Sequence, residues 1–412
     1  MRWKFFCTGL LVLISSTSFA RVLKTGLHQP FASIHQAIEA AKDGDTVWIT
    51  SGIYKEKNIT VNKSITLLGI NYPVLDGEHH YEIISVKASR VIIKGLKLIH
   101  SGVSSMEDIA GIKIYNCRDV VIEDNILEDA FFGIYVQSGN NCRIENNRIN
   151  AFAQTEQQSG NGIHCWKCDS IQITNNKVSG HRDGIYFEFV TNSIIWRNIS
   201  SGNIRYGLHF MFSHNDAYIS NIFENNGAGV SVMFTHGVKM YNNFFEDNWG
   251  DGAFGLLLKE ISDSYVIGNR FSNNTSAVYM EGASRIRFEK NIFKSNGWAL
   301  KIQASCMDIA VTGNNFLSNT FDVSTNGSLV LNSFNYNYWD KYEGYDLNKD
   351  NIGDIPYHPV SLFSMVVEKN PASMMLFRSF MTTLLDKTEK ILPSLTPENL
   401  RDDHPYLKPL RL

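Results

Sequence analysis

The sequence predicts an all-β protein whose chain winds into a parallel β-helix, and two regularities carry this prediction. A small residue followed by a short apolar pattern recurs with spacings of 22, 29, 22, 23, 22, 26, 22 and 22 residues. These coil starts are Gly111, Gly133, Gly162, Gly184, Gly207, Gly229, Gly255, Ala277 and Ala299. An Asn stands fourteen residues after each of the first eight starts. One such unit cannot bury its own apolar face, whereas stacked units can.

Each repeat has the pattern of one coil of short strands joined by turns. The residues one and three positions after a start are apolar, an alternation typical of strands, and no stretch is long enough for a helix. Consecutive coils then lie about 4.8 Å apart, and we expect the recurrent Asn residues to form an internal side-chain ladder. Extra residues at 152–161 and 249–255 predict loops that project from a turn. An antiparallel sandwich, the alternative, predicts neither a fixed Asn offset nor a constant coil length.

The segment before the repeats predicts a cap. Ile34, Ala37, Ile38 and Ala41 follow helical spacing, and the strand-like runs TVWI and ITLLG come after them. This arrangement resembles the capped start of right-handed β-helix proteins of the pectate-lyase-like class, which include lyases, esterases, epimerases and non-enzymes. We therefore expect a right-handed parallel β-helix solenoid with an N-terminal capping helix and a C-terminal helical extension. Such a fold selects no function by itself.

The N-terminus has the three parts of a secretory signal peptide: basic MRWK, apolar FFCTGLLVLI and small residues before Arg21. The apolar part is too short to span a bilayer. We expect cleavage after Ala20 and an exported, periplasmic protein. The expected organisation is a signal peptide at 1–20, the β-helix at 21–338 with recurrent coils from about 80, an aromatic and acidic loop at 339–360, and a helix with an extended tail at 361–412.

The amino-acid composition excludes one further class of function, nucleic-acid binding. A net charge of −3 leaves no basic surface for nucleic acid. After signal cleavage five cysteines remain, an odd number, so at least one thiol is free or shared with a partner. The CWKC motif at 165–168 has metal or redox spacing, but no second such pair completes a four-sulfur site, and Cys165 points into the expected core. Two buried or turn cysteines are therefore favoured.

The motif Met-Phe-x-His occurs twice, at 211–214 and at 233–236. The equivalent residues of the two copies have identical offsets from their coil starts, so we expect one copy to lie directly above the other. Strand alternation places both methionines and His209 on the outer surface. Thioether and imidazole ligands suit Cu(I), and the candidate copper ligands are Met211, Met233, His214, His236 and His209. The alternative is a Met and Phe stack that packs under a loop.

Polysaccharide chemistry would need acidic residues clustered on one outer face. The best candidates are His181, Arg182 and Asp183 with Glu188, and Glu281 two to four coils away. These residues are scattered over the coils, so no catalytic residues are assigned and the sequence favours a non-enzyme.

Two features follow the repeats. Asp346, Asn348, Asp350 and Asp354 alternate as in a calcium loop, but the loop glycine and the bidentate Glu are missing, so an Asx-turn loop without metal is an equal alternative. A helix capped by Ser373 is expected to run to Pro393. Its apolar stripe either caps the β-helix or docks on another protein; the candidate docking residues are Phe377, Phe380, Met381, Leu384 and Leu385.

A resemblance to a known family is carried by the stretches GHRDGIYFEFV, RYGLHFMFSHND, GVSVMFTHGVKMYNN and DNIGDIPYHPVSLF, together with the C-terminal helix. Through them the whole chain after the signal peptide resembles the NosD family of periplasmic maturation factors of nitrous oxide reductase. The resemblance implies association with an ABC transporter whose permease and ATPase are of the NosY and NosF type. It also implies copper supply to the reductase NosZ, with the chaperone NosL as donor.

Three functions are therefore compatible with the sequence. A copper-handling transporter component predicts stacked soft ligands and a docking helix. A purely structural adaptor, or a sulfur-supply factor for the same maturation system, predicts that the Met and His residues are replaceable. A polysaccharide-active enzyme predicts an acidic groove.

Overall fold

The computed structural model describes residues 20–104, 106–327, 332–391 and 400–412. The predicted signal peptide lies outside the described residues except for Ala20. From Val22 to Trp339 the chain winds into stacked coils, and every pairing between the strands named below is parallel. The predicted parallel β-helix is confirmed.

The strands are short because most of them end where the coil turns a corner. In chain order they are β1 Val22–Thr25, β2 Thr46–Ile49, β3 Ile53–Tyr54, β4 Ile59–Val61, β5 Thr66–Gly69, β6 Val74–Asp76, β7 Ile84–Val86, β8 Ile92–Lys94, β9 Lys97–Ile99, β10 Ala110–Tyr115, β11 Val121–Glu123, β12 Ile126–Glu128, β13 Phe132–Gln137, β14 Arg143–Glu145, β15 Arg148–Asn150, β16 Asn161–Trp166, β17 Gln172–Thr174, β18 Lys177–Ser179 and β19 Asp183–Glu188. They continue as β20 Ile194–Trp196, β21 Ile199–Ser201, β22 Tyr206–Met211, β23 Ala217–Ile219, β24 Ile222–Glu224, β25 Ala228–His236, β26 Lys239–Tyr241, β27 Phe244–Glu246, β28 Phe254–Ile267, β29 Arg270–Ser272, β30 Ser276–Glu281, β31 Ser284–Glu289, β32 Ile292–Lys294, β33 Trp298–Ile302, β34 Met307–Thr312, β35 Asn315–Leu317, β36 Phe321–Ser324, β37 Ser333–Asn335 and β38 Tyr338–Trp339.

A typical coil has three strands, as in β22, β23 and β24. The residue one position after each coil start faces inward and pairs with its equivalent on the next coil, as Ile185 does with Leu208 and Leu208 with Val230. All three are fully buried. Because apolar residues stack on apolar residues at every level, the core is continuous along the solenoid axis.

The predicted Asn ladder is confirmed, and it fills one inner corner. The Asn221 main-chain N–H and side-chain amide both donate to Asn243 Oδ1 at 3.0 Å, and the amide also donates to the Ile195 carbonyl at 2.9 Å. The same arrangement repeats along the rungs Asn125, Asn147, Asn176, Asn198, Asn221, Asn243, Asn269, Asn291, Asn314 and Asn337. These bonds satisfy backbone groups that the corners would otherwise leave unpaired.

Two further internal stacks were not predicted. A second amide ladder follows another corner through Asn203, Asn226, Asn248, Asn274, Asn296 and Asn319. A row of buried rings runs from Phe223 through Phe245, Phe271, Phe293 and Phe316 to Trp339, with centroid separations of 4.0–5.6 Å.

The N-terminal cap is α1, Ile34–Ala40, as the apolar spacing predicted. Ser33 caps it by accepting a hydrogen bond from the Gln36 N–H. Ile34, Ala37 and Ile38 face the first coils and are buried. The cap therefore covers apolar core that the first coil would expose.

The C-terminal segment differs from the single helix that the sequence predicted. Helix α2, Leu362–Lys369, starts at the cap Ser361, a 3₁₀ helix covers Pro371–Leu376, and α3 covers Phe380–Ile391. Ser373 is not a cap. Arg378 adopts a left-handed conformation with φ 61°, which interrupts the segment, and α3 begins beyond Ser379, which accepts the Thr382 N–H. The prediction that this helix ends at Pro393 falls outside the described residues.

The end of the solenoid is closed by the tail 400–412. Leu400 and Asp402 are fully buried. The Asp402 carboxylate accepts the Asn337 main-chain N–H and side-chain amide and the Trp339 indole N–H, each at 3.0 Å. The last rung of the Asn ladder is therefore bound by a carboxylate from the tail.

All five described cysteines are buried and free, and Cys165 points into the core as predicted. Burial raises the pKa of the Cys142 thiol to about 11. Among the described residues, no helix is long and apolar enough to cross a membrane.

Candidate functional site

The two Met-Phe-x-His copies lie on neighbouring coils at the end of β22 and within β25. Met211 pairs with Met233 in the parallel register, as predicted. Leu208 and Phe210, on alternate positions, are fully buried, so the two methionines point outward, and both are half-buried. Register and alternation therefore place two thioethers side by side on the outer surface.

The aromatic residues of the motif stack in the same way. The Phe212 and Phe234 rings are 5.2 Å apart at 14°, and Phe189 extends this stack by one coil. Both residues of the pair have left-handed backbone, with φ 50° and 54°, and each is a little over one-third exposed. The chain turns at these residues, so the stacked rings stand at the corner between the Met pair and the His pair.

The two motif histidines lie beyond this corner. The His214 and His236 rings are 4.1 Å apart at 20°, and Thr235 Oγ1 lies 3.4 Å from His214 Nδ1. His214 is half-buried and His236 is exposed. Partial burial, and secondly the neighbouring His236, lower the pKa of His214 below its ordinary 6.5. The neutral, ligand-competent imidazole is thereby favoured.

Polar groups surround the methionines. The Tyr186 hydroxyl donates to Met211 Sδ at 3.7 Å. Glu188 stands beside Met211 in the register and Lys259 stands beside Met233. The thioether pair is therefore bounded by a carboxylate on one side and an ammonium on the other, and Tyr186 restrains one sulfur.

The predicted surface position of His209 is wrong. Its side chain leaves the strand on the outer face, but it is only 6% exposed because the Tyr186 and Tyr206 rings cover it, with centroids 4.9 and 4.8 Å away. Asp183 Oδ2 lies 3.5 Å from its Nδ1. Strand alternation gave the direction of the side chain correctly, whereas it carried no information about the residues that cover the strand.

His209 belongs to a buried polar row that the sequence did not predict. His164, Tyr186 and His209 stack on successive coils, with ring centroids 4.8 and 4.9 Å apart. Arg205 binds Asp183 through two hydrogen bonds of 2.9 and 2.6 Å beside this row. Burial lowers the pKa of His164 to about 3. The shared offset of these residues from their coil starts was the available signal.

The acidic residues considered for catalysis do not form one groove. Asp183 is engaged by Arg205, and Glu281 lies 3.6 Å from Lys259. His181 is fully buried, and burial lowers its pKa to about 3. Among the described residues, none of these groups belongs to a convergent cluster of three acidic, His or Cys ligands.

The candidate calcium loop is internally hydrogen-bonded. Asp346 accepts the Asp350 and Asn351 N–H groups at 3.2 and 2.9 Å, and Asp350 accepts the Ile352 N–H at 2.8 Å. Asp354 accepts the Leu347 N–H at 2.6 Å. This arrangement fits an ordered Asx-turn loop, and calcium binding at Asp346, Asn348, Asp350 and Asp354 stays a prediction.

The candidate docking residues divide into two groups. Phe380 is 82% exposed, and Phe377, Met381 and Leu384 are 38–51% exposed. Leu385 instead packs against the small core of Phe321, Phe363 and Val367. One face of α3 therefore attaches the helix to the solenoid, and the other face presents apolar side chains to solvent.

A comparison with protein families gives two matches along the chain. Residues 149–348, which contain both Met-Phe-x-His copies, match the family described as "Periplasmic copper-binding protein (NosD)". Residues 32–159 match the family described as "Right handed beta helix region". Together they cover the solenoid from the capping helix to the loop after its last strand.

Two curated relatives extend this likeness over nearly the whole chain. Both are named "Probable ABC transporter binding protein NosD". The one from Pseudomonas aeruginosa is 26% identical and covers 94% of this chain and 94% of its own length. The one from Stutzerimonas stutzeri is 24% identical and covers 89% and 88%. The chain is therefore similar to NosD proteins over most of its length, and residues 149–348 match the NosD family model. Family members are described as periplasmic and copper-binding, and these two relatives are named as binding proteins rather than as enzymes.

Solved structures show the fold alone. The surface adhesin PfbA of Streptococcus pneumoniae superposes with a TM-score of 0.58 at 13% identity and covers 75% of this chain and 89% of its own. The Dettilon tailspike protein superposes with a TM-score of 0.55 at 11% identity, with coverage of 69% and 64%. An adhesin and a tailspike share this architecture, so the architecture does not distinguish functions.

Proposed function

We propose that this protein is a periplasmic accessory component of an ABC transporter and carries Cu(I) for the assembly of the copper centres of nitrous oxide reductase. The parallel register that places Met211 beside Met233 and stacks His214 on His236 carries the proposal. The family description as copper-binding supports it. Met211, Met233, His214 and His236 are the proposed ligands. His209 is buried and is assigned no ligand role.

The chemistry of these side chains suits transfer rather than storage. Thioether and imidazole are the ligand types that select Cu(I) over hard cations. All four side chains are at least partly accessible to solvent, so an incoming donor or acceptor protein reaches the ion directly. Copper then moves by ligand exchange, in which each new ligand bond forms as an old one breaks, without a change of oxidation state. Such a carrier needs no catalytic residue.

The exposed face of α3 supports a partner on the transporter. Phe380, Met381 and Leu384 form a small apolar surface next to the solenoid end, and an apolar helix face is a recurring recognition surface. We propose that the permease and ATPase are of the NosY and NosF type, that the copper donor is a chaperone of the NosL type, and that the acceptor is the reductase NosZ.

The first test is an anaerobic Cu(I) competition titration of the exported protein against a chromophoric chelator. The variant Met211→Leu/Met233→Leu/His214→Asn/His236→Asn removes the thioether and imidazole donor atoms and nearly conserves the volume of the two methionines. We expect one tight equivalent in the wild-type protein and an affinity about a hundredfold lower in the variant, because four soft ligands are lost.

The matched control is Met307→Leu/His28→Asn, which changes an exposed Met and an exposed His elsewhere on the solenoid. Circular dichroism verifies the fold of each variant. Equal Cu(I) binding by the quadruple variant, or none by the wild-type protein, would refute the site and leave the motif as surface packing in an adaptor protein.

A further inference from the structure

A second group of metal-ligating side chains lies at a different corner, near the N-terminal end of the solenoid. Strands β6, β9 and β12 are neighbours in one sheet, with Asp76 paired to Ile99 and Ile99 paired to Glu128. The residues that follow these strands therefore meet at one corner on three successive coils. His100 and Asp129 follow β9 and β12 directly, and His79 lies in the turn after β6.

The main chain fixes the three positions. The His79 N–H donates to the His100 carbonyl at 2.9 Å, and the His100 N–H donates to the Glu128 carbonyl at 3.3 Å. One ligand atom from each of His79, His100 and Asp129 lies within 4.8 Å of the others. Among the described residues, this is the one group of three or more His, Cys, Asp or Glu side chains that converges in this way.

Asp76 orients one of the two imidazoles. His100 Nδ1 lies 3.0 Å from Asp76 Oδ1, which also accepts the Glu78 N–H at 3.0 Å. An ionised carboxylate only accepts hydrogen bonds, so His100 Nδ1 carries the proton and its Nε2 keeps a lone pair in the neutral ring. A carboxylate that holds the far nitrogen of a metal-binding imidazole is a recurring feature of protein metal sites.

The other nearby acidic groups are already neutralised. Glu78 pairs with Lys55 at 2.8 Å, and Glu128 pairs with Lys97 at 2.7 Å. Asp129 is half-buried and has no ion-pair partner among the described residues. The His79 and His100 rings, with centroids 4.6 Å apart, stand beside it. The corner therefore combines two imidazoles, one carboxylate and access to solvent.

We propose that His79, His100 and Asp129 bind one divalent transition-metal ion of the Zn²⁺ and Cu²⁺ class. Two nitrogens and one carboxylate oxygen match the preference of these ions, and the exposed side of the group leaves a fourth position for water or for a ligand from a partner. Ca²⁺ prefers an all-oxygen shell, and Cu(I) prefers softer donors. This site is independent of the Met-Phe-x-His pair and does not rest on the proposed function.

The test is a calorimetric titration of the full exported chain with Zn²⁺, repeated with Co²⁺ as a spectroscopic probe. The variants His79→Asn and His100→Asn each remove an imidazole, Asp129→Asn removes the carboxylate charge, and Asn tolerates the left-handed backbone of all three residues. We expect one Zn²⁺ equivalent in the wild-type protein. Each ligand variant should lose binding, and Asp76→Asn should weaken it about tenfold or more.

His80→Asn is the matched control, because His80 is an adjacent exposed histidine outside the group, and it should leave Zn²⁺ binding unchanged. Intense d–d absorption of the Co²⁺ complex would indicate a four-coordinate site, and its loss in His79→Asn would support ligation by His79. The proposal is overturned if the wild-type protein does not bind Zn²⁺, or if the three ligand variants bind it as tightly as the wild-type protein does. The quadruple Met and His variant should bind Zn²⁺ normally, so failure of the copper site and failure of this site are separable.

Discussion

At the residue scale, each Asn of the inner ladder forms hydrogen bonds with the coil before it and with the coil after it. Asn221 receives two hydrogen bonds from Asn198 and gives two to Asn243. A buried donor without an acceptor costs about 1–3 kcal/mol. The ladder therefore makes each rung depend on the rung that follows it.

Replacement of Asn221 by Ala should lower the free energy of unfolding by about 3 kcal/mol, because two buried donors on Asn198 lose their acceptor. Urea unfolding followed by circular dichroism measures this change. Asn370→Ala, at an exposed position after α2, should change stability by about 0.5 kcal/mol or less. Equal losses in the two variants would contradict a structural role of the ladder.

A buried histidine makes stability depend on pH. Burial lowers the pKa of His181 from 6.5 to about 3 in the folded chain. Between these two values the unfolded state binds the proton and the folded state does not, so stability rises with pH through this window and is lost as the pH falls below about 6.5.

His181→Gln should therefore flatten the acid side of the stability curve by up to about 1.4 kcal/mol per pH unit. Urea midpoints between pH 5 and pH 7 check this slope. The control His28→Asn changes an exposed histidine and should leave the slope unaltered. An unchanged slope in His181→Gln would show that His181 is not the group responsible.

Single residues also mark the limit of prediction from sequence. Offsets from the coil starts predicted that Met211 meets Met233, because register follows from coil length. They did not predict the burial of His209, because its cover comes from Tyr186 and Tyr206, whose side-chain directions no periodicity gives. The convergence of His79, His100 and Asp129 was not predicted, because His79 and His100 precede the first regular repeat.

At the scale of elements, strands of three residues carry little structure of their own, and corners set their ends. Left-handed residues such as Phe212, Asn225 and Asn242 turn the chain. In β28 the parallel pairing continues across two left-handed residues, Glu260 and Asp263, so this strand has fourteen residues. Helix prediction was less successful, since the apolar stripe after Ser373 continued across the left-handed Arg378 and concealed the interruption.

The exposed apolar face of helix α3 can be tested as the surface that docks on the transporter. Phe380→Glu/Leu384→Glu places two charges on its exposed face and should abolish co-purification with the transporter permease while Cu(I) binding and the unfolding midpoint stay unchanged. Burial of a charge without a partner at an interface opposes association.

Leu27→Glu, at an 80% exposed residue near the opposite end of the chain, is the control and should retain the permease. Retention of the permease by the α3 variant would assign the docking surface elsewhere.

At the scale of the whole molecule, the fold followed from the sequence because one short pattern is repeated and each copy constrains the next. The packing of the C-terminal tail against the last coil, in contrast, was not predicted from the sequence. Residues 400–412 contain no repeat, yet Asp402 is fully buried against Asn337 and Trp339. A contact between segments so distant in the chain has no local signature.

Asp402→Ala should lower the free energy of unfolding by about 3 kcal/mol, because three buried N–H groups of Asn337 and Trp339 lose their acceptor. It should also speed proteolysis of the tail, measured by mass spectrometry after limited digestion. Asp403→Ala, at the exposed neighbour, should change neither quantity. A stable variant with a resistant tail would refute this role of Asp402.

The carboxylate of Asp402 also ends the column of inner amides beyond Asn337. An amide rung accepts from one neighbour and donates to the other, so a column of amides has no natural end, and an open solenoid end offers unpaired strand edges to another molecule. A carboxylate accepts on both oxygens and donates nothing. Asp402 therefore ends the column chemically, and the tail that carries it pairs with Phe334 and Tyr338, so it covers strand edges of the last coil.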